Sequence, residues 1–182
     1  MNRQVILVDE NDTPIGEADK LSVHRSGELH RAFSVFLFDR DGRWLLQQRH
    51  PDKYHSGGLW TNTCCSHPEP GKSTDAEARS RLRMEMGIDT ALEPSFQFHY
   101  RAELDGTLIE HELDHVFLGH FDGVPMPNGE EVCDWRWVET SDLLEELKQT
   151  PAAFTYWFRL VVPRVIRAVA DTQKHAPLEE TG

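Results

Sequence analysis

Residues Trp60 to Gly71 read W-T-N-T-C-C-S-H-P-E-P-G, two thiols side by side with an imidazole two residues beyond the second. Such a group could form a disulfide, clamp a zinc ion, or present one reactive sulfur. Adjacent residues of an extended chain face opposite sides. On a strand, Cys64 and Cys65 would therefore face opposite sides, with His67 on the face of Cys65. The chain has one further cysteine, Cys133. An odd count with two neighbours does not make a disulfide framework and points to a reducing cytoplasm.

Neutral imidazole is a common ligand for transition metals. His24 and His30 lie six apart in L-S-V-H-R-S-G-E-L-H and, with His67, are candidates. The chain holds ten histidines, so each one alone also fits a surface or hydrogen-bonded role. The run I-E-H-E-L-D-H at 109–115 offers carboxylates as well. On a strand, Glu110 and Glu112 share one face, with His111 and His115 on the other. Two carboxylates on one face repel unless a cation or proton lies between them; a solvated edge strand is the alternative. The same letters spell H-E-x-x-H, a protease zinc motif that works only on a helix. Gly106 before it and Val116-Phe117-Leu118 after it indicate a strand instead.

Glu77, Arg81 and Glu85 recur every four residues and would form one helical stripe. The stripe is either a surface ion-pair ladder or a face on which Glu85 meets a metal and Arg81 an anion. Lys20, Arg49 and Lys53 are further cations placed to grip phosphate oxygens. Each alone also reads as a surface charge.

The elements that must position these groups are legible from patterning. Gln4 to Val8 reads as a strand ending in an acidic turn. Ala32 to Phe38 and Arg43 to Arg49 read as a hairpin about Arg40-Asp41-Gly42. Segment 50–60 is a loop by its Pro, Ser and Gly content. Thr74-Asp75-Ala76-Glu77 has capping-box spacing, so a helix is expected to about Met86, with Gly87 just past its end. Phe96 to Leu104 and Leu108 to Phe121 read as strands joined at Asp105-Gly106, and Val132 to Val138 as another. Thr140 or Ser141 can cap a helix over Asp142 to Lys148. Phe154 to Ala170 reads as a final helix, bent or interrupted at Pro163. The tail from about 173 is expected to fray. Antiparallel hairpins with one helix between them and two at the end give an α+β, or mixed α/β, domain.

With 182 residues, 38% of them hydrophobic, the chain reads as one globular domain over its whole length. Its formal charge of −12 disfavours nucleic acid as a partner. The N-terminus fits no signal peptide, and no apolar run is long enough to span a membrane.

Taken together, W-T-N-T-C-C-S-H-P, the upstream H-x5-H, the downstream E-x-E and a degenerate Nudix box resemble type 1 isopentenyl diphosphate isomerase of the Nudix superfamily. The resemblance runs from about Val5 to Trp157. It implies a Nudix-like fold, a mixed sheet between helices, and reversible conversion of isopentenyl diphosphate to dimethylallyl diphosphate. It implies that Cys65, not Cys64, is the reactive thiol, and that a divalent metal (zinc, manganese or magnesium) sits on His24, His30, His67, Glu110 and Glu112. A diphosphate-linked magnesium falls on Glu85, diphosphate contacts on Lys20, Arg49, Lys53 and Arg81, and an aromatic pair on Tyr100 and Trp157. The expected partner is a small prenyl diphosphate, with the chain a monomer or homodimer. Gly71 and Glu77 fit the hydrolase-type Nudix box, but Gly87 arrives early and Met84 replaces the first glutamate of the late pair. That disfavours a Nudix-type diphosphate hydrolase, the main rival; a non-enzymatic metal-binding module is the other.

Moving the double bond requires one proton to reach an alkene carbon and another to leave a neighbouring carbon. On this reading Glu112, assisted by Tyr100, handles the proton at the alkene and Cys65 the one at the allylic carbon, with roles exchanged in reverse. Trp157 would offer its π face to developing positive charge, worth about 0.5 to 2 kcal/mol.

Overall fold

The computed structural model describes residues 4–104 and 107–175. Among these residues nine strands and four α-helices follow in the order β1 (Gln4–Val8), β2 (Pro14–Asp19), α1 (Lys20–Ser26), β3 (His30–Phe38), β4 (Trp44–Arg49), β5 (Trp60–Thr61), β6 (Cys64–Ser66), α2 (Thr74–Met86), β7 (Leu92–Glu103), β8 (Ile109–His120), β9 (Val132–Val138), α3 (Thr140–Gln149) and α4 (Tyr156–His175). The expected Asp105-Gly106 turn and the tail beyond His175 lie outside the described residues.

Strand β3 organises the sheet. It pairs in parallel with β8 from His30↔Glu112 to Phe38↔His120. On its other side it meets β6 antiparallel, with Ser34 opposite Cys65 and Val35 opposite Cys64. β7 and β8 form a long antiparallel pair in which Tyr100 faces Glu112. β4 pairs with β9, and β1 with β2.

The sequence of β3, H-R-A-F-S-V-F-L-F, is almost wholly buried, as expected for a strand covered on both faces. Phe33, Val35 and Leu37 join Cys64, Ala78, Leu82 and Met86 in a core under α2. Phe36 and Phe38 join Trp44, Tyr100, Trp157, Phe158 and Val161 in a core under α4. This is the mixed sheet between helices that the resemblance implied.

Several local expectations need correction. The cap of α2 is Ser73, not Thr74: its side chain accepts from the Ala76 amide, and Thr74 is the first helical residue. The helix end is as expected, with Gly87 at φ 66° and a Cβ there only 2.6 Å from the Met126 carbonyl oxygen. Helix α3 begins at Thr140 after Glu139 with no side-chain cap; the Thr140 hydroxyl instead accepts from the Trp44 indole at 2.9 Å. Helix α4 starts two residues later than expected and runs unbroken through Pro163. Arg159, whose carbonyl loses a donor to that proline, and Pro163 are both solvent-exposed, so water can serve it. Ser73→Ala is expected to cost about 1 kcal/mol, read as a lower urea midpoint with an unchanged slope.

Candidate active site

Six elements bring the chemistry-bearing side chains to one cleft. Helix α1 is short, but Asp19 caps its start, Gly27 closes it at φ 73°, and it turns His24 inward. Lys20 stands at its first turn. β3 supplies His30 and Ser34, β6 supplies Cys65 with His67 just beyond, β7 supplies Tyr100, β8 supplies Glu110, Glu112 and Asp114, and α4 supplies Trp157. Most of these line one open pocket, together with Arg49 and His55.

The pleat decides which sulfur reaches it. Cys64 is fully buried in the core under α2, whereas Cys65 is half-buried and lines the pocket. Burial pushes the Cys65 thiol up to about 12; Arg49 pulls it down, and nearby carboxylates, Glu85 first, push it further up. It is a thiol at rest. All three cysteines are free.

Four buried donors converge beside the pocket, two of which, His67 and Glu112, line it. The donor atoms of His24, His30, His67 and Glu112 all lie within 4.8 Å of one another. His24 Nδ1 sits 2.7 Å from the Lys20 carbonyl oxygen and His30 Nδ1 sits 2.9 Å from that of Glu28. If those nitrogens donate to the carbonyls, each Nε2 carries the lone pair. His24 Nε2 has no partner. His30 Nε2 and His67 Nε2 approach to 3.2 Å, and His67 Nε2 is 2.8 Å from Glu112 Oε1. Buried imidazole nitrogens crowded on a carboxylate, one of them orphaned, suit a divalent transition-metal ion.

The acids differ in charge. Burial raises Glu112, but the His30 and His67 imidazoles beside it outweigh that and hold the carboxyl well below its usual range. Glu110 goes the other way, pushed well up by burial and then by the neighbouring Glu112 charge. The Tyr100 hydroxyl joins them, donating to Glu112 Oε2 at 2.6 Å and reaching Glu110 Oε2 at 3.1 Å. Burial and those two carboxylates keep the phenol protonated. His24 is driven down to about 4, chiefly by burial.

The structure does not bring every expected residue into the pocket. Arg81 donates through Nε to Glu85 Oε1 at 2.6 Å and through Nη2 to Glu131 Oε2 at 3.0 Å. Lys53 is bonded to the same Glu131 oxygen, and Gln47 donates to Glu85 Oε2 at 3.0 Å. These form a separate ionic knot against α2. Trp157 lines the pocket and has the Arg49 guanidinium 5.4 Å from its ring centre. Its indole donates to Asn62 Oδ1 at 3.2 Å, and Asn62 in turn donates to the Val35 and Cys64 carbonyls. That explains the asparagine in W-T-N-T.

Sequence reasoning missed Asp114, Ser34 and His55. Asp114 continues the alternation of Glu110 and Glu112, so the signal was present. It accepts from the Ser34 hydroxyl at 2.7 Å, and burial followed by the Glu112 charge pushes it well up. His55 lies in a loop with no period to flag it. His111 and His115, the protease-motif pair, sit on the far face of β8; they reach the Gly27 carbonyl and Asp12 instead.

The NUDIX domain profile matches residues 28–158. Isopentenyl-diphosphate Delta-isomerase 1 of Aromatoleum aromaticum is 54% identical over 166 residues, covering 91% of this chain and 94% of that protein. The chain belongs to the isopentenyl-diphosphate Delta-isomerase family of Nudix domain proteins. The Burkholderia multivorans isopentenyl-diphosphate Delta-isomerase is 49% identical, covering 90% of this chain and 93% of its own. The crystal structure of DR0079 from Deinococcus radiodurans shares the fold at a TM-score of 0.76 and 18% identity, over 89% of this chain and 98% of that one. The Nudix match contains His30 and every pocket residue from Ala32 to Trp157. Lys20 and His24 precede it on α1, so this isomerase-family cleft includes a helix outside the matched domain.

Proposed function

We propose that the chain is an isopentenyl-diphosphate Delta-isomerase whose proton-transfer groups are the Cys65 thiol and the Tyr100–Glu112 pair. The reading rests on one observation: these groups line one pocket from different strands, β6 on one side and β7–β8 on the other. In the forward direction a proton from the Tyr100–Glu112 side forms a bond with the terminal alkene carbon, using the π pair and leaving positive charge at the branched carbon. The allylic C–H bond then breaks, its electron pair becomes the new double bond, and the proton passes to the Cys65 sulfur. Trp157, buried at 3% exposure, supplies an aromatic wall of the pocket.

Each forward turnover moves one proton from the carboxyl side to the sulfur, and each reverse turnover moves it back. A resting thiol beside an ionised Glu112 is the form from which the reverse reaction starts. His24, His30, His67, Glu112 and the adjacent Glu110 would hold a divalent ion, for which imidazoles favour zinc or manganese over magnesium. That ion would supply positive charge to a buried acidic cluster and steady Glu112. One chain provides every group named, so a monomer suffices and a homodimer is equally compatible.

Lys20 and Arg49 line the pocket, and Arg49 Nε is buried without a hydrogen-bond partner; they are suited to grip the diphosphate. Lys53 and Arg81 are balanced by Glu85 and Glu131, so an anion gains little there unless a cation accompanies it. Glu85 as holder of a diphosphate-linked magnesium meets that condition. Purified protein given isopentenyl diphosphate and magnesium in heavy water should form dimethylallyl diphosphate carrying deuterium, with no phosphate released. Release of phosphate or pyrophosphate without isomer would assign the chain to Nudix-type hydrolysis instead.

A further inference from the structure

Strand β8 has two faces with different work. Glu110, Glu112 and Asp114 line the pocket from one of them. His111, Leu113 and His115 alternate with these and point the other way. Against that second face lies the segment that precedes the Nudix match, β1, β2 and α1, and its parts meet the three residues in turn. His111 Nδ1 donates to the Gly27 carbonyl at the end of α1, at 3.0 Å. Leu113 is buried against Ile6 and Val8 of β1. His115 Nε2 sits 2.9 Å from Asp12 Oδ2 in the turn between β1 and β2. Arg31 of β3 holds the same aspartate, donating through Nε to Oδ1 and through Nη2 to the carbonyl oxygen, both at 2.7 Å. Asp12 adopts a left-handed φ of 63°, and Asp9 fixes the turn by accepting from the Asn11 and Thr13 amides at 2.9 Å.

We propose that His111 and His115 are positioning residues: with Leu113 between them they form a rail on the back of β8 that holds α1, and with it Lys20, in register with the pocket. The segment needs such anchors. β1 joins β3 at one registered pair, Leu7↔His30, and β2 is an edge strand with four of its six residues exposed. The seven residues of α1 are too few for a helix to hold itself. Buried Val23 and His24 give α1 its inward face, and the two anchors, Asp12 ahead of it and Gly27 behind it, set where along β8 that face lands. Neither histidine lines the pocket, so each acts only through the segment it holds. The consequence for substrate binding, through Lys20, rests on the isomerase reading; the anchoring of α1 does not.

The test is hydrogen–deuterium exchange on the full chain, read by mass spectrometry, with steady-state kinetics beside it. His111→Leu/His115→Leu removes both donors and keeps apolar bulk. Exchange across Lys20–Ser26 should quicken at least about fivefold while α2 and α4 stay within about twofold of wild type. KM for isopentenyl diphosphate should rise at least about fivefold, because Lys20 travels with α1. His111→Asn/His115→Gln places an amide N–H near each lost imidazole donor and should bring both readings back to within about twofold. Should the leucine variant fail to fold by circular dichroism, Asp12→Asn replaces it; its amide nitrogen must face one of the two donors, so the same segment should loosen. Unchanged α1 exchange in a folded variant, equal quickening in α2 and α4, or no rescue by the Asn/Gln pair overturns the proposal. A loosened α1 with an unchanged KM would deny the histidines a positioning role. A wild-type chain that never turns over isopentenyl diphosphate defeats the isomerase reading alone, and exchange still decides the anchoring.

Discussion

Cys65→Ala is expected to reduce double-bond migration by on the order of 10² to 10⁴-fold, the usual contribution of a positioned proton-transfer group. Its neighbour supplies the control. The two side chains differ by one residue of register: Cys64 packs with Val35 and Leu82 under α2, while Cys65 lines the pocket. Cys64→Ala should therefore keep turnover within about threefold and cost about 1 kcal/mol of stability, as a typical buried truncation does. Coupled measurement of dimethylallyl diphosphate formation and urea unfolding separates the two outcomes. An inactive Cys64→Ala beside a normal Cys65→Ala would reverse the assignment of the sulfur.

Glu112→Gln should be as damaging to turnover, and in two separable ways. The carboxyl accepts the Tyr100 hydroxyl at 2.6 Å on one oxygen and meets His67 at 2.8 Å on the other. The amide keeps the volume but loses the charge, so both the proton relay and the metal centre weaken. Metal content by atomic emission should fall along with activity. Tyr100→Phe isolates the first effect: activity should drop at least about tenfold, the worth of a hydrogen bond to a charged group, while metal content holds. If Tyr100→Phe turned over normally, the phenol would have no part in the proton step.

The sequence carried the sheet well because β3, β4, β7, β8 and β9 are long and either continuously apolar or alternating. It carried α2 by its end signals, the capping-type spacing from Thr74 to Glu77 and Gly87 just past the last turn. What it did not show was short or exposed. β2, P-I-G-E-A-D, is an edge strand with four exposed residues, and β5 and β6 have two and three residues. The seven residues of α1 offer too few turns for a period, although Asp19 and Gly27 were available as end signals. Yet α1 is what carries His24 into the site.

For the site, types and spacing singled out the Cys64–Cys65 pair, His67, Glu110 and Glu112 as candidates, because period-two alternation tells which side chains share a face; the choice of Cys65 over Cys64 came from the family resemblance. Such alternation says nothing of the loop that delivers His55. Nor could it show that Lys53, Arg81 and Glu85 bind one another with Glu131, a knot tied across residues far apart in the chain. The absence of a paired-glutamate Nudix box has a structural counterpart: Met84 is exposed at 45%, while both Glu85 oxygens already accept hydrogen bonds.

The most direct measurement of the central claim is where deuterium enters isopentenyl diphosphate recovered from heavy water, resolved carbon by carbon by NMR. Wild type should label both the allylic carbon and the terminal alkene carbon. Cys65→Ala should lose the allylic label and retain at most slow exchange at the terminal carbon, and Glu112→Gln should lose both. Allylic exchange at the wild-type rate in Cys65→Ala would contradict a thiol facing a carboxyl across the substrate.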